Sequence, residues 1–599
     1  MTKYEGTMLR VNLATGDIKK SKIPDELSRK YIGGRGISAK ILYDEVDPTI
    51  DPFSPKNKLI FAAGPLSGTA APTGGRFEVS CKSPLTGTIT GANSGGEWGA
   101  YLRRAGVEVI VFENKAEKPM YLQITDGDYE LKSAEKLWGL DTHKTTDTLQ
   151  KELGKEYRVA CIGPGGEKLV KIACVINDKH RAPGRGGTGA VMGSKNLKAI
   201  AVKGTKKVEV ANEEEFKLAH EDALKKIKEH AVTGEGLPTY GTAVLVNIIN
   251  ENGIFPTRNF QTGVFPEAEK ISGENMAETI LTKRAACFAC PIGCGRVTEI
   301  KSGKYKSLGE GPEYETIWAY GAQCGVGDLA PISKANYLCN ELGVDTISMG
   351  STIGCAMELY QRGKVSKEVA GRELDWGDGD VIVEMTKKTA YREGFGDDLA
   401  EGSLRLAEKY GAPELSMSAK GQELPAYDGR GVQGHALHYA TCVSGGNHVR
   451  GYMISPEILG IPEKLDRFAT EGKADWVKTF QDLTAVIDSS GMCLFTSFAI
   501  GAAEYAALLA SGTGFDFTTD EVMTIGDRIW NVEKLFNIKA GFTSEDDTLP
   551  PRLLKEPMPE GPSKGYVVML DKMLPEYYKV RGWDENGEPT KEKLAQLGI

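Results

Sequence analysis

Cys287, Cys290 and Cys294, in the run Arg284-Ala-Ala-Cys-Phe-Ala-Cys-Pro-Ile-Gly-Cys-Gly, are the residues whose types and spacing speak most directly of chemistry. Iron in clusters is soft and takes thiolate ligands, usually four. A Cys-x2-Cys-x3-Cys run that supplies three of them therefore predicts an iron–sulfur cluster completed from elsewhere in the chain. Pro291 and Gly293 bend the backbone so that the sulfurs converge. The alternatives are a structural zinc knuckle or three packed thiols. Zinc normally draws on paired Cys-x2-Cys or Cys/His units, and no second pair or nearby His follows this run. A fourth thiolate has eight candidates, Cys81, Cys161, Cys174, Cys324, Cys339, Cys355, Cys442 and Cys493, and spacing does not choose among them.

A second kind of chemistry is written in three polar, glycine-rich segments: Pro72-Thr-Gly-Gly-Arg76, Gly91-Ala-Asn93-Ser-Gly95-Gly96, and His180-Arg181-Ala-Pro-Gly184-Arg185 through Gly189. Glycines let successive backbone N–H groups point at one anion, and Arg76, Arg181 and Arg185 can each grip a phosphate with two donors, so these are candidate phosphate cradles. The bland reading is that the glycines close β-turns. The last segment is not a Walker loop, since Gly193-Ser-Lys195 reverses the required order, and a strand rather than a long helix is expected after it, which excludes a Rossmann fingerprint. A large, anionic cofactor that is not a nucleotide fits better.

The elements that must hold these groups change character along the chain. Up to about residue 205, short apolar or alternating runs (Met8–Leu13, Lys58–Ala63, Arg76–Ser80, Val107–Phe112, Tyr121–Ile124 and Ala199–Val202) lie between Gly, Pro, Asn and Asp and predict strands. From Asn212 the period becomes helical, with a charged face on Glu213–Lys228 that makes His220 and His230 surface residues. Further helices are expected near 328–342, 345–362, 380–394, 398–410, 475–510 and 519–537, with a loop-rich piece at 425–462 and a surface-wrapping tail from Pro550. Asn340-Glu-Leu-Gly343-Val-Asp345 and Asp488-Ser-Ser-Gly491-Met-Cys493 share one frame, a polar group where a helix ends at glycine.

The chain has 599 residues, enough for about three or four domains with real cores. Eleven cysteines without framework spacing point to a reducing compartment. No signal peptide opens the sequence, and the apolar run Phe498–Leu509 is broken by Glu504 and too short to span a bilayer, so the expectation is a cytoplasmic protein away from membranes. A net charge of −9 without a basic stripe speaks against nucleic acid as a partner.

Taken together, the three glycine-rich segments, Cys287-x2-Cys290-x3-Cys294, Gly311-Pro-Glu313-Tyr-Glu315, the two hexamers and the closing Tyr578-Lys-Val-Arg-Gly-Trp583 resemble the tungsten-containing aldehyde ferredoxin oxidoreductase family from end to end. The resemblance implies an α+β fold: a β-rich pterin-binding base (1–210), a helical domain with the cysteine motif (211–415), and a helical domain with the fourth cluster cysteine and the tail (416–599). It implies a tungsten bis-molybdopterin, one 4Fe–4S cluster completed by Cys493, and a Mg2+ bridging the pterin phosphates. Arg76, Asn93, Gly95, Arg181, Ala182, Gly184 and Arg185 would line those phosphates, with Asn93 and Ala182 placing the magnesium. Asp345 and Asp488 would accept hydrogen bonds from the pterin rings, with Asn340 and Arg450 beside them.

The implied reaction converts an aldehyde and water into a carboxylate, or runs in reverse. Electrons leave singly through the cluster to ferredoxin or to an associated iron–sulfur or flavin subunit. His448, in Gly445-Gly-Asn-His, and Glu315 are the expected acid–base groups, with Tyr314 as a hydrogen-bond donor; family position favours His448 over His435 and His438. Residue type does not separate Glu313 from Glu315, and only motif alignment favours the latter. Three positions depart from the family pattern. Asn340 stands where Asp is usual, and Arg450 where Lys is frequent. Lys334 lies near the position of a metal-bridging Glu, with no partner His, which implies a homodimer, if any, without a bridging metal. Two other readings remain: the tungsten subunit of an aromatic acyl-CoA reductase, and a non-catalytic iron–sulfur electron carrier.

Overall fold

The computed structural model describes residues 4–599. Eleven strands build two sheets in the first third of the chain: β1 (Thr7–Asn12), β2 (Ile18–Lys22), β3 (Leu59–Ala63), β4 (Phe77–Lys82), β5 (Ile89–Ser94), β6 (Val109–Glu113), β7 (Met120–Thr125), β8 (Asp128–Ser133), β9 (Arg158–Cys161), β10 (Ile176–Asn177) and β11 (Leu197–Lys203). The first sheet runs β2-β1-β6-β3-β4-β5 and the second β10-β9-β11-β7-β8. Both are mixed, with parallel pairs β1/β6 and β7/β11. The fully apolar run of β3 is buried on both faces at the centre, whereas β2, rich in lysine, forms an exposed edge that resists further pairing. Side chains of both sheets, among them Phe61, Phe77, Phe112, Leu122 and Val202, share one core around Trp98.

Each strand expected from the sequence is present. One expected loop is not a loop: Ile89–Ser94 is edge strand β5, with Asn93 opposite Glu78 of β4. The local composition favours a turn, but β4 offers a free ladder, and Gly91 permits the approach, since a Cβ there would lie 2.2 Å from Glu78 Oε1. The His180–Gly189 segment leads into a short helix, Thr188–Ser194, before β11.

The helical part contains a small antiparallel sheet that hydrophobic periodicity did not announce: β12 (Leu281–Ala285), β13 (Gly295–Ile300) and β14 (Ser307–Glu310). Its register pairs Ala285 with Gly295, so the cysteine motif is the connection of the β12–β13 hairpin. The helices Glu213–Glu229, Leu329–Leu342, Thr346–Gln361, Gly379–Tyr391 and Thr519–Lys539 follow expectation, and His220 and His230 are half-buried. Leu329–Leu342 ends at Gly343 (φ 74°) and Lys473–Ser490 at Gly491 (φ 93°), the left-handed cap that both hexamers foretold. Gly491 also splits the helix expected over 475–510, and a second helix, Ala502–Thr513, follows. The 425–462 stretch carries the buried helix Gln433–Thr441. Among the described residues no helix is long and apolar enough to cross a membrane.

One hydrophobic core draws on residues from both sides of residue 415, running from Ala243 to Trp583 with Leu85, Val170, Ile172, Ala173 and Ala190 of the β-rich part joined to it. Helix Glu213–Glu229 packs against Ala502–Thr513 across the linear order. The tail is not a wrapping. Helix Leu570–Arg581 buries Arg581 completely, its guanidinium donating to Asp482 Oδ1 (2.6 Å), Asp527 Oδ1 (3.0 Å) and Gln481 Oε1 (2.6 Å). Replacing Arg581 by Met leaves these buried carboxylates short of a partner. We expect a loss of about 3–5 kcal/mol, read as a lower denaturant midpoint; an unshifted midpoint would mean that the tail does not hold the fold.

Candidate active site

Of the eleven cysteines, seven are buried and four are partly exposed: Cys287, Cys290, Cys294 and Cys493. The structure brings these four thiols together, each of the last three feeling the charge of others in the set. Burial first, then their mutual repulsion, pushes Cys290 up to about 11 and raises Cys294 and Cys493 as well. Thr73, at φ 63°, holds the two contributing loops in place. Its N–H donates to Ala289 O (2.8 Å), inside the motif, and its Oγ1 accepts from Cys493 N (2.9 Å). Arg76 N donates to Gly491 O (3.2 Å), and the Arg76 guanidinium lies beside Cys493, Cys287 and Cys294. A Cβ on Gly95 would fall 2.8 Å from Cys287 Sγ, so only glycine fits. Among the described residues no three His, Cys, Asp or Glu side chains gather closely enough for one metal ion.

The anion-binding candidates divide in two. Arg76 Nε donates to Asn93 Oδ1, while Asn93 Nδ2 is buried without a partner, a donor that an anionic group would satisfy. Arg181 faces Glu310 at 3.1 Å and Glu313 at 3.9 Å, next to exposed Ala182. Around Gly184 there is room, since a Cβ there would meet nothing nearer than Asp345 Oδ1 at 3.7 Å. Arg185, expected as a phosphate grip, is already engaged by protein acceptors. It donates to Asp345 Oδ2 (3.2 Å), Gly446 O (2.6 Å), Ser348 Oγ (3.2 Å) and Glu423 O (2.9 Å), so its guanidinium braces the protein.

Asp345 caps helix Thr346–Gln361 through Ile347 N and Ser348 N besides accepting from Arg185. Asn340 Nδ2 reaches Glu310 O at 3.4 Å, and its carbonyl accepts from Thr142 Oγ1 (2.6 Å). Asp488 lies in a buried charge network: Arg35 Nη1 at 3.4 Å from it, Arg35 on Glu533 (2.9 and 2.7 Å), and Arg450 on Glu78 Oε1 (3.0 Å), Gly91 O (2.8 Å) and Glu533 Oε1 (3.4 Å). Arg450 is therefore committed to protein groups in directions that one lysine ammonium does not reach together. Glu78, Glu533 and Arg35 escaped the sequence reading, and Thr73 stood there only as part of the Pro72–Arg76 segment. Gly33-Gly-Arg35-Gly was the available signal for one of them.

Glu313 and Glu315, two residues apart at the start of helix Tyr314–Tyr320, point to different sites. Glu313 accepts from Thr242 Oγ1 and faces Arg181. Glu315 Oε1 stands 3.4 Å from His448 Nε2, and its Oε2 accepts from Ala426 N (3.1 Å). Burial raises the Glu315 carboxyl to about 8 and holds His448 well below its ordinary value, with Arg185 and His438 adding to the latter. Near neutral pH the pair is thus a carboxylic acid facing a neutral imidazole. Glu315 Oε1 and His448 Nδ1 are both buried without a hydrogen bond. Tyr314 is correspondingly placed but differently used: its hydroxyl donates to Ala426 O (2.8 Å), so it fixes the peptide that Glu315 leans on rather than offering a free donor. Tyr427 and Tyr452, joined through their hydroxyls at 2.9 Å, pack on the His448 ring at 6.0 and 6.4 Å between centroids.

Models of known families match nearly the whole chain: aldehyde ferredoxin oxidoreductase, N-terminal domain, over residues 8–204, and aldehyde ferredoxin oxidoreductase, domains 2 & 3, over 218–599. The chain belongs to the aldehyde ferredoxin oxidoreductase family. The gap between the two matches falls where sheet gives way to helix. Among family relatives, the tungsten-containing aldehyde ferredoxin oxidoreductases of Pyrococcus furiosus and Thermococcus kodakarensis are 56% and 52% identical, each over 99% of this chain and 98% of theirs. A solved structure, the active-site complex BamBC of benzoyl coenzyme A reductase with 1,5-dienoyl-CoA, superposes with a TM-score of 0.85 at 25% identity, covering 99% of this chain and 96% of that one.

The Glu315 carboxyl links stability to pH. Its folded value, about 8, lies above the ordinary 4.5, so the folded protein keeps a proton that the unfolded chain releases between those values, and stability falls as pH rises through that window. Glu315→Gln should flatten this part of the slope, measured as denaturation midpoints between about pH 5 and pH 9. An identical slope in the variant would place the carboxylate outside the buried pair.

Proposed function

We propose that this chain oxidises aldehydes to carboxylic acids with water as the oxygen source, and passes the two electrons singly to ferredoxin. The observation that carries the reading is the convergence, in a chain 56% identical to a tungsten-containing aldehyde ferredoxin oxidoreductase, of four partly exposed thiols and a buried Glu315–His448 pair.

When bound, a tungsten bis-pterin supplies the two-electron chemistry and a 4Fe–4S cluster the one-electron exit. The residues fit those groups. Cys287, Cys290, Cys294 and Cys493 form a four-thiolate set of the kind clusters take. Arg76, the orphaned Asn93 amide, Arg181, Ala182, the bare backbone of Gly95 beside Cys287 and the roomy backbone at Gly184 would hold the phosphates and their Mg2+. Asp345 and Asp488 would receive ring N–H groups while Arg185, Arg450 and Asn340 hold their surroundings in register.

Oxidising an aldehyde with water to a carboxylate releases three protons with two electrons, so the site must take protons from water and product. Neutral His448 accepts the water proton, and Glu315, protonated at rest, first passes its own proton outward and then takes that of His448 across the 3.4 Å separation, so that the pair relays the released protons one at a time to solvent. Tyr314 keeps Ala426 against Glu315, and the Tyr427–Tyr452 pair walls off bulk solvent around the imidazole. The far higher identity to the Pyrococcus and Thermococcus enzymes than to the benzoyl coenzyme A reductase complex favours aldehyde oxidation over reduction of an aromatic acyl-CoA.

Anaerobically purified protein should contain about one tungsten and four irons per chain. His448→Ala should keep both metals and lose aldehyde oxidation with a low-potential dye by about a hundredfold, as should Glu315→Gln to a lesser degree. Full activity in metal-replete His448→Ala would remove the imidazole from the mechanism, and absence of tungsten with iron present would leave only electron transfer.

A further inference from the structure

We propose that His438 is a positioning residue for His448. A chain of hydrogen bonds that starts at Arg581 in the C-terminal helix fixes the tautomer of His438 and makes it hold the loop that carries the His448 imidazole. This role rests on the acid–base reading of His448 given above and adds what keeps that imidazole in place.

The chain begins at a group that can only donate. Arg581 has no acceptor, so the Gln481 atom that faces its Nη2 at 2.6 Å is the side-chain oxygen, which also accepts from the Tyr577 hydroxyl (2.7 Å). That orientation turns Gln481 Nε2 the other way, onto His438 Nδ1 at 3.1 Å and Thr441 Oγ1 at 3.3 Å. Thr441 directs its own hydroxyl proton to Leu437 O (2.8 Å), which leaves its oxygen free to accept. His438 Nδ1 therefore accepts as well, and the one ring proton sits on Nε2, 2.7 Å from Asn447 O. The other tautomer would set an N–H against the Gln481 amide and leave Asn447 O without its donor.

The receiving carbonyl belongs to the residue before His448. The loop is tied on both sides of the imidazole: Gly446 O accepts from Arg185 Nη1 (2.6 Å) and Gln422 Nε2 (2.7 Å), Asn447 O accepts from His438, and Arg450 is held by Glu78, Gly91 and Glu533. The His448 ring has the 3.4 Å approach to Glu315 and its aromatic neighbours, while its Nδ1 is unpartnered, so the backbone on either side sets its place. The loop presses closely on His438, since a Cβ on Gly451 would lie 2.4 Å from His438 Nδ1. Burial holds the His438 imidazole down to about 3 against the pull of the Asn447 carbonyl, with Arg35, Arg450 and Arg581 adding to the depression. His435 and Tyr439 on its own helix and Tyr577 on a neighbouring one are the other titratable groups around it, besides His448. The nearby carboxylates are paired: Asp482 with Arg581 and Lys478, Asp428 with Arg430, and Glu457 with Lys473. A neutral His438 thus supports the loop without adding a charge that would oppose proton uptake by His448.

The test uses metal-replete holoenzyme with an aldehyde and a viologen dye. Gln481→Glu replaces the amide donor by an acceptor of the same length, which His438 meets by taking up a proton. Activity is then lost as pH falls through the raised His438 value, so the acidic limb of kcat/KM should move up by at least about one pH unit. His438→Leu removes the donor to Asn447 O and should lower kcat at least about tenfold with little change in KM. His438→Gln, which restores a neutral donor, should recover most of that loss. In a His448→Ala background, Gln481→Glu should cost less than about twofold further, because both changes act through one imidazole. Where His438→Leu does not retain its metals, the limb shift in Gln481→Glu decides. An unmoved pH profile in Gln481→Glu, a metal-replete His438→Gln as slow as His438→Leu, or independent losses in the double variant would each overturn the positioning role. Metal-replete wild-type protein that oxidises no aldehyde would instead overturn the functional reading beneath it.

Discussion

The structure depends on one close approach: the C-terminal end of helix Lys473–Ser490 lies on the loops that follow β3 and precede β4. A Cβ on Gly64 would stand 2.1 Å from the Ser490 carbonyl carbon, and one on Gly34 would stand 2.4 Å from Asp488 O, so no side chain is tolerated at this seam. Because the backbones touch, Leu66 N donates to Ser490 O and Arg76 N to Gly491 O. Gly491, left-handed, then turns the chain so that Cys493 arrives against Thr73. The cluster thiols, the candidate phosphate arginine and the network around Asp488 all take their positions from this contact between chain segments some 400 residues apart, as the Cys493–Thr73 hydrogen bond spans 420 positions.

The arginines show how burial assigns roles that residue type leaves open. A guanidinium keeps its charge under burial and presents a rigid fork, so it either meets an anion or is satisfied by the protein. Arg185, Arg450, Arg35 and Arg581 are satisfied internally, by carbonyls and carboxylates drawn from distant segments. Arg76 and Arg181 keep donors near the thiols and Asn93, which is where an anionic cofactor would add the missing acceptors. Burying cations in this way is costly unless each is paired, and the number of pairs converging below Asp488 reflects that cost.

The acid–base pair follows from the same logic. Two glutamates two residues apart emerge on different sides of a helix start because Glu313 is its N-cap residue and Glu315 lies in the first turn. Only Glu315 enters the aromatic enclosure of Tyr314, Tyr427 and Tyr452, where desolvation favours its neutral form and the neutral form of His448. Exposure to water would return both groups to their ordinary ionisation, so the aromatic wall is as much part of the proton chemistry as the two titrating groups.

Local sequence determined what short-range physics controls. Alternating apolar runs specified six strands, the glycine ends of two helices were set by the need for a left-handed residue, and the spacing of Cys287, Cys290 and Cys294 announced thiolate chemistry before any fold was known. End-to-end motif resemblance added the family and named Cys493. Residue types alone left eight thiols and two glutamates as equals, and did not foresee that the Arg185 guanidinium is engaged by Asp345, Gly446, Ser348 and Glu423. Those choices belong to the tertiary structure, because desolvation and convergence are properties of packing between distant segments. A short window records which groups a residue carries, but not which of them is left facing an unfilled site once the chain has closed around it.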